Sequence, residues 1–100
     1  MKIPRKNVHD VFEKHSDDEH LKFERIPKAE RLHPSDDLCG LLKVASLMKN
    51  PAKFSMNAGH DQIWLADWDD LKQLTEEDVV YLLRCGIWWD GDVDCLSTFT

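Results

Sequence analysis

The sequence predicts an α+β fold, a short antiparallel sheet of three to four strands with N-terminal helices and one helix between strands packed on it. Three observations predict this. Apolar residues recur at helical spacing in two stretches of the N-terminal half; a capped amphipathic helix starts at Thr75; and the segments flanking that helix alternate at strand spacing. Helices on one face of a small antiparallel sheet are the arrangement that buries such stripes.

The first stripe is Val8, Val11, Phe12 and His15, at i, i+3, i+4 and i+7, which predicts a helix over residues 7–14 with Asn7 as its cap. Ser16 and Glu19 have the form of a capping box and predict a second short helix over 17–24. Pro27 and Pro34 then bracket a connection, since each biases the residue before it away from the helical region. Ser35, Asp36 and Asp37 supply a cap and dipole-matched acids ahead of Leu38, Leu41, Leu42, Ala45 and Met48. Lys49 falls in the expected last turn, and Asn50-Pro51 stops the helix. Gly40 inside it costs about 1 kcal/mol against alanine, which points to close packing against another element.

Phe54 and Met56 alternate with polar residues before Asn57-Ala58-Gly59, and Ile63 and Leu65 alternate with Trp64 and Ala66. This predicts two strands joined by a turn at 57–59. Thr75-Glu76-Glu77-Asp78 then opens a helix over 76–85, with Gly86 at the left-handed position after it and Ile87 as the apolar contact beyond. Residues 87–90 and 95–99 read as a terminal hairpin around an Asp-Gly-containing turn. If Ile63 and Leu65 face the helices, Trp64 faces the other side of the sheet. A chain this small has trouble covering both faces, so at least one tryptophan, with Trp68, is expected to be exposed or to lie under the N-terminal arm.

One hundred residues, 42% hydrophobic and 32% charged, suit a single domain over 1–100: a helical, basic-leaning arm over 1–34 and an α+β body over 35–100 with an acidic C-terminal part. The N-terminus lacks the apolar stretch of a secretory signal, and no run of about 18 or more apolar residues is available to span a bilayer. A cytoplasmic chain that binds no membrane is expected. Cys39, Cys85 and Cys95 cannot all pair within one chain and none sits in a Cys-x-x-Cys spacing, so reduced, mostly buried thiols are expected.

Charge is unevenly placed. Residues 1–31 hold eight basic groups against seven acids, and residues 32–100 hold five against twelve, within a net charge of −6. From His60 to the end, ten acids and all four tryptophans face only Lys72 and Arg84. A negative chain is a poor phosphate binder, so direct nucleic-acid binding is disfavoured. Tryptophan among acids instead suits a basic protein partner, the rings anchoring and the field steering. The arm and the acidic part can also pair with each other.

Catalytic and metal signatures are weak. His15, His20, His33 and Cys39 match no zinc spacing. Asp90-Gly91-Asp92-Val93-Asp94 begins like a calcium loop but has its glycine misplaced and ends before a bidentate Glu at the twelfth position. Cys39 or Cys85 with a distant His, or Asp69 with Asp70, has no local motif to fix geometry. The expectation is no catalytic site, no cofactor and no metal.

The segments His60–Leu65, the capped helix, Gly86–Asp90 and Asp94–Phe99 resemble small proteins of phages and mobile elements. Within that group the chain resembles anti-CRISPR proteins acting on type I (I-F or I-E) systems, a likeness covering about the last forty residues. The resemblance implies a non-catalytic, stoichiometric inhibitor of a CRISPR RNA-guided surveillance complex in the host bacterial cytoplasm. Such an inhibitor binds lysine-rich surfaces that otherwise receive target DNA. The residues expected to carry partner binding are Asp67, Trp68, Asp69, Asp70, Glu76, Glu77, Asp92 and Asp94, on a monomer or weak dimer. The alternative is a phage or mobile-element regulator that binds another basic host protein, such as a polymerase or nuclease subunit.

Overall fold

The computed structural model describes residues 2–16, 22–59 and 61–99. They form three α-helices, α1 (Arg5–Ser16), α2 (Asp36–Leu47) and α3 (Glu76–Arg84), and four strands, β1 (Asn57–Gly59), β2 (Gln62–Asp67), β3 (Trp88–Asp90) and β4 (Cys95–Phe99). The sheet order is β1-β2-β4-β3, with every neighbouring pair antiparallel. The fold is therefore α+β. Because β2 and β3 both run antiparallel to β4, they are parallel to each other, and α3 is the crossover between them with β4 inserted, a split βαβ unit.

The helices start and stop for local reasons. At α3, Thr75 Oγ1 accepts from Asp78 N–H (3.1 Å) and Asp78 Oδ2 accepts from Thr75 N–H (2.9 Å), the expected capping box. Its end is the expected Schellman stop: Ile87 N–H reaches Leu82 O (2.9 Å), Gly86 N–H reaches Leu83 O (3.0 Å), and Gly86 has φ +83°. Helix α2 forms where expected but turns a different face inward: Cys39, Gly40, Val44 and Leu47 are buried, while Leu38 and Leu42 of the expected stripe are exposed, Leu41 and Ala45 are half-buried, and Ser35 makes no side-chain cap bond. Gly40 is where the helix touches its neighbour. A Cβ there would lie 2.7 Å from Ile87 Cδ1 and 2.9 Å from Cys85 Cβ.

Several boundaries differ from the sequence expectation. Helix α1 begins two residues before Asn7, whose N–H bonds Pro4 O (2.8 Å), so Asn7 sits inside the first turn rather than capping it. Ser16 closes α1, its hydroxyl donating to Glu13 O (2.8 Å). Of the expected second helix, residues 17–21 lie outside the described part, and Phe23–Arg25 is a single 3-10 turn. Lys49 lies beyond α2, because Met48 leaves the helix to bridge Leu71 and Lys49 N–H bonds Asp70 O (2.9 Å). Phe54–Met56 is not a strand. Asn50 caps a 3-10 turn at Pro51–Lys53 that delays pairing, so the strand is Asn57–Gly59, the stretch expected to turn.

The core lies between the helices and one face of the sheet. Val8 and Phe12 of α1, Val44 and Leu47 of α2, and Val79 and Leu82 of α3 meet Leu65, Leu96 and Trp89, with Leu71 and Leu74 from the connection after β2. Trp89 stacks on Phe12, ring centroids 6.0 Å apart. A smaller cluster of Ile26, Cys39 and Cys85 packs with Phe23 and Tyr81 beside it. All three cysteines are free thiols and buried.

Candidate interaction surface

The acids expected to meet a partner divide according to what already holds them. Asp67 and Asp70 form a reciprocal capping box on the 3-10 turn Trp68–Asp70: Asp67 Oδ1 accepts from Asp70 N–H (3.0 Å) and Asp70 Oδ2 from Asp67 N–H (3.3 Å). Asp94 accepts from Arg5 Nε (3.0 Å) and from the end of the same guanidinium. Glu76 accepts from His15 Nε2 (2.6 Å) and Lys14 Nζ (3.2 Å), and these hydrogen bonds lower its carboxyl pKa from the ordinary value. The N-terminal arm thus supplies the counter-charges. Asp69, Glu77 and Asp92 are exposed, and their side chains have no partner among the described residues.

Trp68 is half-buried and clamps the arm. Its indole N–H donates to Ile3 O (3.0 Å), Lys2 Nζ lies 3.6 Å from a ring centroid, and the same ammonium donates to Trp68 O (2.6 Å). Burial, with Lys49 nearby, lowers the Lys2 pKa, while Asp69, Asp67 and Asp70 pull the other way. Ile3 N–H bonds Leu74 O (2.9 Å), which completes the tether.

A second group of side chains was not singled out by the sequence as a site. Directly paired residues on antiparallel strands share a face, and Trp64 pairs with Ser97, which pairs with Trp88. Gln62 pairs with Phe99 on the same face. This outer face is opposite the helices. Asp90 organises it: Oδ2 accepts from Gln62 Nε2 (2.8 Å) and Trp64 Nε1 (3.1 Å), and Oδ1 from Asp92 N–H (3.0 Å). Burial disfavours the Asp90 carboxylate, but these donors outweigh it and keep its pKa below the ordinary value. Trp88 leans on Phe99 with ring centroids 5.3 Å apart. Ser97, between the two indoles, is fully buried, and among the described residues its hydroxyl and the Trp88 indole N–H have no partner. The signal available in the sequence was the alternation that puts Trp64 off the core side.

The residues considered for chemistry lie apart. His15 is bound to Glu76, His33 Nδ1 accepts from Ser35 N–H (2.9 Å), and Cys39 Sγ lies 3.1 Å from Tyr81 Oη; His20 is outside the described part. Among the described residues no three His, Cys, Asp or Glu side chains converge as metal ligands. In the loop considered for calcium, Asp90 turns onto the sheet while Asp94 turns to Arg5. Burial pushes the Cys85 thiol up to about 12 and Cys95 up to about 11. An open cleft of about 820 Å³ lies along α3; in it Lys43 pairs with Asp78 (3.0 Å) and Tyr81 Oη donates to Glu30 O (2.8 Å), while among the described residues Glu77 and the buried Arg84 Nε have no partner.

Geometry thus defines a helix-backed sheet with an aromatic outer face and a partly neutralised acidic margin. No protein-family model, curated protein or solved structure matches the chain.

Proposed function

We propose that this chain is a non-catalytic inhibitor that binds a type I CRISPR RNA-guided surveillance complex and blocks target-DNA binding. It acts in the cytoplasm of the host bacterium, as a protein ligand for a surface that otherwise receives phosphates. The observation that carries the reading is a charge vacancy of one sign: residues 54–71 and 85–100, which include all four strands, contain no Lys or Arg but seven Asp. Asp69, Glu77 and Asp92 are the carboxylates most available to such a surface, because Asp67, Asp70, Glu76 and Asp94 already hold intramolecular partners. Trp68 contributes indirectly, by fixing the arm that neutralises Asp94.

The test is gel filtration of the purified chain with assembled type I-F and I-E surveillance complexes, followed by target-DNA binding. Co-elution with loss of DNA binding, weakening as salt rises, is the expected result. Failure to co-elute with either complex overturns the reading. Recovery of a polymerase or nuclease subunit from host lysate, with no Cas subunit, transfers the same acidic surface to a regulator.

A further inference from the structure

We propose that the outer face of the sheet, centred on Trp64, Trp88 and Phe99, is a docking surface for arginine side chains of a protein partner. The proposal deepens the reading above, resting on its basic partner, and moves the contact from the Trp68 turn to the sheet.

The face is largely aromatic and partly open, with Gln62 and Asp90 on it and Ser97 buried between the indoles. The buried core lies on the other side, while Phe99 is 69% exposed and Val93, in the adjoining turn, 55%. Trp64 and Trp88 are half-buried, edge-supported rings. The surface is also preset. Asp90 fixes the Trp64 indole through its N–H, Gly59 leaves the space its ring fills (a Cβ there would be 2.7 Å away), and Phe99 supports Trp88. Fixed rings lose little freedom on binding, so more of the contact energy appears as affinity.

Charge selects the occupant. Asp61, Asp67 and Asp92 lie on the connections and strand end bordering this face, all exposed, and no strand carries a cation. Stacked nucleobases would bring phosphates against these carboxylates, and a second copy would bring the same acids face to face. Arginine fits both parts, its planar guanidinium lying on an indole while its N–H groups reach a carboxylate. The fold already uses such pairs internally: Lys2 lies over Trp68, Arg31 over Phe23 (4.8 Å) and Lys43 over Tyr81 (4.9 Å). Among the described residues, Trp64, Trp88 and Phe99 have no cation of their own.

The experiment titrates the full chain with a Gly-Ser peptide carrying interspersed arginines, and with its lysine and glutamine counterparts, and follows amide and indole chemical shifts. The expected shifts centre on Gln62, Trp64, Trp88 and Ser97, with arginine binding tighter than lysine and glutamine not at all. Phe99→Ser, at an exposed position, and Trp88→Thr each weaken arginine binding about three- to fivefold with charge unchanged. Three results overturn the proposal: shifts centred on Glu76 and Glu77, equal binding of lysine and arginine, or affinity untouched by both substitutions. Concentration-dependent shifts without peptide, marking self-association through this face, overturn it as well. No CRISPR component is present, so failure here and failure of co-elution are separately visible.

Discussion

Replacing Asp78 with alanine removes a carboxylate that closes the α3 cap and neutralises a cation in one place. Asp78 is 6% exposed, and its oxygens accept from Thr75 N–H (2.9 Å), Lys43 Nζ (3.0 Å) and, at 3.5 Å, Gln73 Nε2. Losing the cap bond costs about 1 kcal/mol. Breaking a buried ion pair from one side costs about 3–5 kcal/mol, but the Lys43 side chain is 21% exposed and can turn partly to water. A total of about 3 kcal/mol is expected for Asp78→Ala, and about 1–2 kcal/mol for Asp78→Asn, which keeps a cap acceptor and loses the charge. Urea unfolding at neutral pH reads both, and for a slope of about 1–3 kcal/mol/M the alanine midpoint falls by about 1–3 M. The pH dependence has a fixed sign. Burial raises the Asp78 pKa, but the Thr75 and Lys43 bonds overcome it, so the folded value lies below the ordinary one. A depressed folded pKa gives stability that is present above the unfolded value and is lost as pH falls through the folded value. The gap between wild type and Asp78→Asn therefore closes as pH drops below about 4. An alanine variant within about 0.5 kcal/mol of wild type, or a gap that widens in acid, refutes the reasoning.

Gly40→Ala gains helix propensity of about 1 kcal/mol but forces a methyl 2.9 Å from Cys85 Cβ, overpacking that costs about 1–3 kcal/mol; net destabilisation in thermal unfolding is expected. Gly86→Ala has open space but must hold φ +83°, so it loses about 1 kcal/mol and Gly86→Asn loses less; equal losses would deny the left-handed strain. Ser97→Ala removes a buried hydroxyl that has no partner among the described residues and is expected to be neutral or to stabilise by about 1 kcal/mol; a loss above that would show the hydroxyl to be bonded. With Cys85 at about 12 and Cys95 at about 11, a maleimide at pH 8 should label neither within minutes in the native chain and both in urea. Rapid native labelling of either would place that thiol in an open conformation.

The parts of the fold legible in the sequence are those whose causes are local. Thr75, Asp78, Gly86 and Ile87 carry the whole start and stop of α3 within thirteen positions, and each makes the backbone bond its spacing implies. Gly40 announced a close approach, which Ile87 and Cys85 supply. Alternation places the first strand at Phe54–Met56, whereas β1 is Asn57–Gly59, because its register is tertiary. Gly59 pairs with Gln62 where the Trp64 ring needs room, while Asn50 and Pro51 prolong the preceding turn, and no alternation in residues 54–59 encodes either fact.

The acidic surface is less legible in the sequence for the same reason, sharpened by distance. Counting carboxylates near tryptophan treats each as available, yet Arg5 reaches Asp94 across 89 positions and Ile3 meets Trp68 across 65. Both contacts come from the arm, whose +1 balance over residues 1–31 raised the possibility of pairing with the acidic part but named no partners. Long-range pairing of this kind removes carboxylates from a binding surface without changing net charge. It also separates the two properties a basic partner would use. Among the described residues Asp69, Glu77 and Asp92 keep no side-chain partner, whereas the available aromatic area sits on the outer sheet face at Trp64, Trp88 and Phe99, where only the period-2 alternation of β2 points. A charge-only contact at the Trp68 turn would be screened by salt and worth little. An aromatic face bordered by acids retains its apolar contribution when salt screens the rest, so the residual affinity at high salt measures how much of the binding belongs to the sheet.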